Sequence, residues 1–450
     1  MTDHDAEAQL LRECVGYGRL WTAAAASAFG TYITVLAVQV LIVQTLDGDA
    51  AEVGLVNAAR WLPYLLVGLL VGALVDRVRR RPLMVVADVA CALALATIPV
   101  LALAGHLNLG WVMVAMAVFG TATLIGDAAS QSFLPRVVPR PLLSSAHARI
   151  DQAGAVAQGG GPALAGAVVS LLGPPLAVLV DAVSYLTSAV LVATIRLAEP
   201  ASAERDEPQG RGRGGARTAL RGVGRDVAEG LRWVYGHPTL RPLAISSHVW
   251  FACSAVAGAV LAPMALRDLG LTPATLGLAT AAAGVGALAG ASVAVRLGRR
   301  WGAGRLIIAT RTGTGVAWAV MAIAPSVVPA GGSTGPWGGG LAWAVFAVGQ
   351  LLLGLCMGAE NANEMGYRQT VTPDRLQGRM NTTMRSLNRA AIVVAAPLGG
   401  LLGDAAGYQV ALMVAAGVVA AAAVVMAASA LRGARLDDHH ALAVSASMHP

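Results

Sequence analysis

Lysine is missing from this chain of 450 residues, because every one of the 32 side chains counted as Lys plus Arg is an arginine. No GxxxxGK phosphate loop can therefore form, which excludes ATP hydrolysis by the chain itself, and Schiff-base chemistry is excluded with it. Charge is scarce too. Charged residues make up 13% of the sequence, against about 25% in a soluble globular chain. The cysteines are few and solitary: Cys14, Cys91, Cys253 and Cys356 give neither a CxxC site nor a disulfide framework and read as packing residues. Eight histidines, scattered from His4 to His449, supply no HExxH pair or nucleophile-and-base cluster, so no enzyme, metal site or cofactor is expected.

What the chain has instead is apolar length. Hydrophobic residues are 56% of the sequence and the mean hydropathy is +0.64. They gather into runs long enough, at a rise of 1.5 Å per residue, to cross a hydrocarbon core of about 30 Å. The runs are apolar on all faces, which excludes the alternating strands of an outer-membrane barrel and leaves helices. Twelve spans are expected, near 21–46, 53–75, 83–104, 109–130, 153–172 and 175–195, then near 242–266, 273–295, 305–328, 339–360, 384–402 and 409–431. The polar start runs into a first span too long for a cleavable signal sequence.

The arginines orient these spans. Arg79, Arg80 and Arg81 lie between spans two and three, Arg136, Arg140 and Arg149 after span four, and Arg368, Arg375 and Arg379 after span ten. Connections on the other side carry essentially Arg267 alone. By the positive-inside rule both termini are cytoplasmic, in a multi-pass protein of the cell membrane. The net charge of +7 thus reports topology, and its spread over seven turns argues against a nucleic-acid partner. Trp21, Trp111, Trp301 and Trp337 sit near span ends, where indoles anchor at headgroup level.

Four segments follow: a six-helix bundle over 1–197, a cytoplasmic linker over 198–241, a second six-helix bundle over 242–432 and a flexible cytoplasmic tail over 433–450. The linker is rich in Gly, Pro and charge at first. It then places Leu220, Val223, Val227, Leu231 and Val234 at helical spacing, the pattern of an amphipathic helix on the inner leaflet. The bundles resemble each other, since Val137, Pro139 and Leu142 recur as Val371, Pro373 and Leu376 at an offset of 234, with Pro162 and Pro397 in equivalent spans. Duplicated halves with a site near the midplane are a common transporter plan.

The turn Gly72-Ala-Leu-Val-Asp76-Arg77-Val-Arg-Arg80-Arg81 resembles the signature loop of the major facilitator superfamily, Gly-x-x-x-Asp-Arg/Lys-x-Gly-Arg-Arg/Lys. The resemblance covers essentially the whole chain and implies the all-α integral membrane fold of that family, twelve transmembrane helices in two pseudo-symmetric six-helix bundles. In that family the loop acts as a gate on the cytoplasmic side, a role the resemblance carries onto Gly72, Asp76, Arg77, Arg80 and Arg81. Arg79 replaces the motif's second glycine. An ordinary positive-inside turn would account for the arginines but not for Asp76. The counterpart turn, Gly290 to Arg300, has no acid. Gly161-Pro162-x-x-Ala-Gly166 looks like part of the antiporter motif of span five in exporters, although a small-residue helix crossing would use the same residues. The loops Phe133 to Pro139 and Gln369 to Arg379 are similar to the macrolide and siderophore exporter branch.

Charges at lipid depth are the remaining site candidates, each costing at least about 2.5 kcal/mol at a helix centre. Arg60 lies some seven residues into span two, about 10 Å from its outer end. It can face a cavity or pair with an acid, Asp181 of span six being at similar depth. Tyr32, Thr34 and Gln39 of span one can hydrogen-bond a substrate, or in the case of Gln39 a neighbouring helix. Asp88, Asp127, Glu360 and Arg311 lie nearer the cytoplasmic ends and suit interhelical or headgroup contacts. Two departures from the family stand out. Gly30 is followed by Thr31 where the exporter branch often has an acid, and Met116 stands where proton-coupled relatives have arginine ahead of the glycine at 120.

The resemblance implies a monomeric secondary transporter in the lipid bilayer, working by alternating access on the proton gradient and exporting a small amphiphilic molecule such as a drug, antibiotic, secondary metabolite or siderophore. Uptake of a small metabolite, or a non-transporting scaffold or receptor, are the alternatives. The intact acid-containing loop, Arg60 and Asp181 point to the first bundle for coupling.

Overall fold

The computed structural model describes residues 9–11, 13–75, 78–195, 216–328 and 340–435, among which all regular structure is helical and no strand occurs. The chain divides into two compact units, Met1–Gly48 with Leu55–Arg213, and Asp49–Gly54 with Gly214–Pro450. In the first unit run α1 (Tyr17–Val40), α2 (Ala50–Val75, its first turn grouping with the second unit), α3 (Arg80–Leu103), α4 (Leu109–Val137), α5 (Leu143–Leu172) and α6 (Pro174–Ala193). The second holds α7 (Ala216–Gly236), α8 (Leu240–Pro263), α9 (Pro273–Trp301), α10 (Ala303–Ile323), α11 (Leu341–Val371), α12 (Asp374–Ala406) and α13 (Tyr408–Ala427).

Eleven of these helices are long and apolar enough to cross a membrane. Helix α2, 26 residues with Glu52 and Arg60 as its only charged side chains, completes the twelve expected spans, and α7 is the amphipathic extra. Several helices outrun the apolar segments that announced them. Helix α4 continues to Val137, α5 starts at Leu143, α9 continues to Trp301, α11 to Val371, and α12 starts at Asp374. Hydropathy marks only the part of a helix that lipid touches, while the backbone ladder continues wherever tertiary packing supports it. The 31 residues of α11 span about 46 Å, half as long again as a hydrocarbon core.

The repeat extends to backbone conformation. Gly173 (φ 78) joins α5 to α6 and Gly407 (φ 97) joins α12 to α13, the two being 407 − 173 = 234 residues apart, the offset of the Val-Pro-Leu match. A one-residue corner with positive φ suits glycine alone among unstrained residues.

In the first unit, α1 is tied to α5 by Tyr17 OH donating to Ala146 O (3.2 Å) and Trp21 Nε1 donating to Arg149 O (3.1 Å). The carbonyls at the end of α6 receive Arg19 Nη1 at Thr194 O (2.7 Å) and Arg81 at Val192 O and Ala193 O. Cations there complement the negative end of the helix dipole. In the second unit, α7 docks on protein. Val234 is fully buried, Gly230 lies against Arg379 and Thr383 of α12, and Glu229 pairs with Arg375 and Arg379. The apolar face of its C-terminal half, expected on the inner leaflet, is thus covered by protein. After α13 the chain folds back, Gly304 N donating to Ala434 O (3.1 Å), so that position 434 is packed rather than part of a loose tail. The tail from 436 onward lies outside the described residues.

The tightest crossing of the second unit joins α9 and α11. Gly286 and Gly290 lie against the Leu351 and Leu355 carbonyls, while Gly354 and Gly358 lie against Ala283 and Ala287. Small residues four apart on both helices let the backbones touch, which is how helices associate where lipid removes the hydrophobic drive. Asn363 Nδ2 locks the register one turn further on, donating to Ala294 O at 3.0 Å. Gly358→Val should destabilise the protein by about 1–3 kcal/mol through overpacking, read as a lower thermal midpoint in detergent. Gly378→Ala, at a position with open space around it, should leave that midpoint unchanged.

Candidate functional site

Two buried polar centres lie within the helix packing, one in each unit. In the first, Asp181 of α6 is fully buried. Thr34 Oγ1 donates to its Oδ2 at 2.5 Å and Ser184 Oγ to its Oδ1 at 2.9 Å. Its carboxylate occupies the space beside Gly30, where any Cβ would collide with Oδ1. Glycine there lets α6 bring an acid against α1. An acid thus stands beside Gly30, contributed by a neighbouring helix. On α4, Gly120 lies against the Arg60 backbone carbonyl of α2, and the Arg60 guanidinium stacks 5.3 Å from the Phe119 ring centre and 5.4 Å from that of Trp61.

The suggested Arg60–Asp181 pairing is not formed. No ion pair joins them among the described residues, because Asp181 is held by hydroxyls and Arg60 by aromatic faces. Phe119 also meets Tyr185 edge-on at 5.7 Å, and Tyr185 OH approaches Thr31 Oγ1 at 3.4 Å, closing an aromatic layer around this centre. Asp88 accepts from Ser188 Oγ (2.7 Å) and Asp127 from Tyr64 OH (3.5 Å), interhelical contacts as expected. Tyr32 lays its ring over Gly161, and Ala157, Pro162, Ala165 and Gly166 are buried on the same helix. The Gly161-Pro162-Gly166 segment is therefore the α1–α5 crossing. Gln39 is half-buried at the far end of α1.

Of the loop motif, Asp76 and Arg77 lie outside the described residues. Gly72 falls in the last turns of α2, Arg80 is buried at the start of α3, and Arg81 is committed to the α6 carbonyls. That contact joins α3 to α6 within one unit.

The second centre is the larger. Arg311 of α10, its side chain only 3% exposed, reaches Glu360 Oε1 at 2.6 Å and Glu364 Oε2 at 3.2 Å on α11. Glu360 also accepts from Thr310 Oγ1 (3.2 Å) and Glu364 from Ser247 Oγ of α8 (2.9 Å). Arg368 pairs with Glu364 at 3.6 Å and donates to Asn381 of α12 at 2.8 Å. The Arg311 guanidinium lies 5.4 Å from the Trp250 ring centre. Beside it, Asn388 Oδ1 can only accept, so His248 Nδ1 donates to it (2.6 Å) and His248 Nε2 accepts from Tyr235 OH of α7 (2.8 Å). Arg311, Glu360, Glu364, Arg368, Asn388 and Trp250 border a cavity of about 300 Å³, at the lower bound of small-molecule pockets of about 300–1,000 Å³. Among the described residues no cluster able to hold a metal ion is present.

Position along the spans presents Arg311 and Glu360 as boundary contacts and singles out none of Glu364, Arg368, His248 and Asn388. The signal was there in spacing. Positions 360, 364 and 368 form one stripe along a helix, as do 381, 385, 388 and 389, but the first begins where the apolar run of span ten stops and the second lies at the start of span eleven. At the repeat offset of 234 the first unit has Gly126, Ser130 and Leu134 where the second has Glu360, Glu364 and Arg368, so the network belongs to one half alone. Removing one partner of a buried pair strands the other charge, at a cost of about 3–5 kcal/mol. Glu360→Leu should therefore lower the unfolding midpoint of the detergent-solubilised protein sharply, and the double variant Glu360→Leu/Arg311→Met should recover most of the loss. A double variant no more stable than the single one would contradict this account of the pair.

Known proteins resemble the chain along most of its length. Residues 11–449 match the family described as transmembrane secretion effector. The multidrug efflux pump Tap of Mycolicibacterium fortuitum is 27% identical over 395 residues, covering 86% of this chain and 89% of that protein. Tap of Mycobacterium tuberculosis strain H37Rv is 27% identical over 405 residues, covering 87% of each. Among solved structures, the nucleoside transporter NupG superposes with a TM-score of 0.67 at 13% identity, over 92% of this chain and 98% of that one. An inward-facing bacterial homologue of the iron transporter ferroportin gives 0.66 at 18% identity, over 91% and 97%. Such identities speak for the fold, while the family match spans nearly every residue, and by it the chain belongs to the transmembrane secretion effector family of the major facilitator superfamily, as a multi-pass membrane transporter.

Proposed function

We propose that this transporter exports small amphiphilic organic molecules by alternating access in exchange for protons, with both termini in the cytoplasm. Export is favoured by the similarity to proteins named multidrug efflux pumps over most of the chain. The orientation rests on the arginine-rich connections. Chemistry at the second centre suits handling of an organic molecule: a cavity with aromatic and thioether walls beside polar groups is adaptable in what it holds.

The observation that carries proton coupling is Asp181. It is a carboxyl group with no exposure, bound among the described residues by two hydroxyls and no cation. A lone carboxylate at lipid depth is costly, and such groups mark proton pathways in membrane proteins. Thr34 and Ser184 can bond either protonation state, since a hydroxyl both donates and accepts. Gly30 makes room for the acid. Arg60, nearby but unpaired with it, adds positive potential without a fixed bond.

Cells carrying the protein should extrude fluorescent amphiphiles faster than cells without it, and an uncoupler should abolish the difference. Asp181→Asn should reach the membrane in normal amount yet export at the uncoupled level. Uncoupler-sensitive export at the wild-type rate in that variant would sink the assignment. Asp76→Asn should slow turnover without changing membrane insertion, as expected if the loop between α2 and α3 gates the cycle, and an unchanged rate would remove that role.

A further inference from the structure

The charges around the second-unit cavity do not balance. Arg311 and Arg368 already share Glu360 and Glu364, through contacts of 2.6, 3.2 and 3.6 Å. A third guanidinium, Arg385 on α12, also borders the cavity, exposed and in no ion pair with a described residue. Even with Arg389 set aside, three cations face two carboxylates. Two N–H groups of the network are unanswered as well. Arg311 Nε and Arg368 Nε are buried without an acceptor, on side chains only 3% and 12% exposed. A buried donor without an acceptor carries its desolvation penalty uncompensated, and both belong to side chains that line the cavity.

Part of the lining is apolar. Trp250, Phe251, Met357 and Met384 border the same space. Trp250 is already stacked on Arg311, so an aromatic body entering beside it would meet a ring face and a guanidinium plane together. Methionines adapt their shape to what they contact.

We propose that this cavity binds amphiphilic organic anions, small molecules joining one carboxylate or sulfonate to an aromatic body. The anionic head would lie toward Arg385 and the Arg368 edge, whose planar fork matches the oxygens of such groups. The apolar body would lie against Trp250 and the methionines. A cation would meet the excess positive charge, and a neutral amide would leave it uncompensated. This narrows the class of exported molecule and so rests on the transport reading above.

Three probes with one body separate the cases: 1-naphthaleneacetate, 1-naphthaleneacetamide and 1-(1-naphthyl)ethylamine, titrated calorimetrically into the full chain in lipid nanodiscs, with empty nanodiscs subtracted. The anion should bind at least about tenfold more tightly than the amide, and the amine most weakly. Arg385→Gln should lower anion affinity about tenfold while leaving the amide unchanged, and Arg385→Lys should restore part of the loss. Since Arg385 is exposed, both variants should melt with the wild type. Equal binding of anion and amide, preference for the amine, no binding of any probe, or an unchanged anion affinity in Arg385→Gln would each overturn the proposal. The titration needs no gradient. A chain that prefers the anion but does not export loses the transport reading alone, and one that exports without preferring the anion loses only this assignment.

Discussion

The Arg311 guanidinium, buried between helices, is met by two carboxylates, and the second unit is arranged around that ion pair. The Arg311 side chain is only 3% exposed. Two glutamates, one helical turn apart on α11, answer it, and each is steadied by a hydroxyl from α10 or α8. The cost of the buried charge thereby becomes a constraint on geometry. Helices α8, α10 and α11 must hold one relative rotation, and the cavity beside them inherits its shape.

That rotation is set by packing that contains no charge at all. The paired glycines of α9 and α11 bring two backbones into contact, which fixes the face of α11 turned away from α9. Continued past the lipid-facing stretch, that helix carries Glu360, Glu364 and Arg368 as a stripe. Neither feature suffices alone. Without the close crossing the stripe has no defined direction, and without the ion pairs the polar extension of α11 would have no reason to enter the unit.

The first unit meets a related demand differently. No acid follows Gly30 and no arginine stands at 116 ahead of Gly120, yet the Asp181 carboxylate lies beside Gly30 and the Arg60 backbone carbonyl beside Gly120. Each glycine leaves clearance for a neighbouring helix. Polar function in a helical bundle is defined by position in space, and the helix that supplies it can change. The acid-containing loop, Arg60 and Asp181 point to this half for coupling, whereas the denser ion network lies in the other half.

Twelve spans, two related halves, an amphipathic linker helix and membership of a transporter superfamily were legible in the sequence, since each follows from hydropathy, charge asymmetry or local spacing, all properties of the chain read in one dimension. So were Asp181 and Arg60, as charges inside apolar runs. Their partners were not legible. A pairing of Arg60 with Asp181 was plausible from equal depth, but helix rotation turned one toward hydroxyls and the other toward rings. Glu364 and Arg368 were not legible for a related reason. Hydropathy ends a span where lipid contact ends, while the helix goes on and carries those residues back into the protein. Composition determined that the chain enters a membrane; only the tertiary packing, through which helix faces meet, decided where its buried charges find their partners.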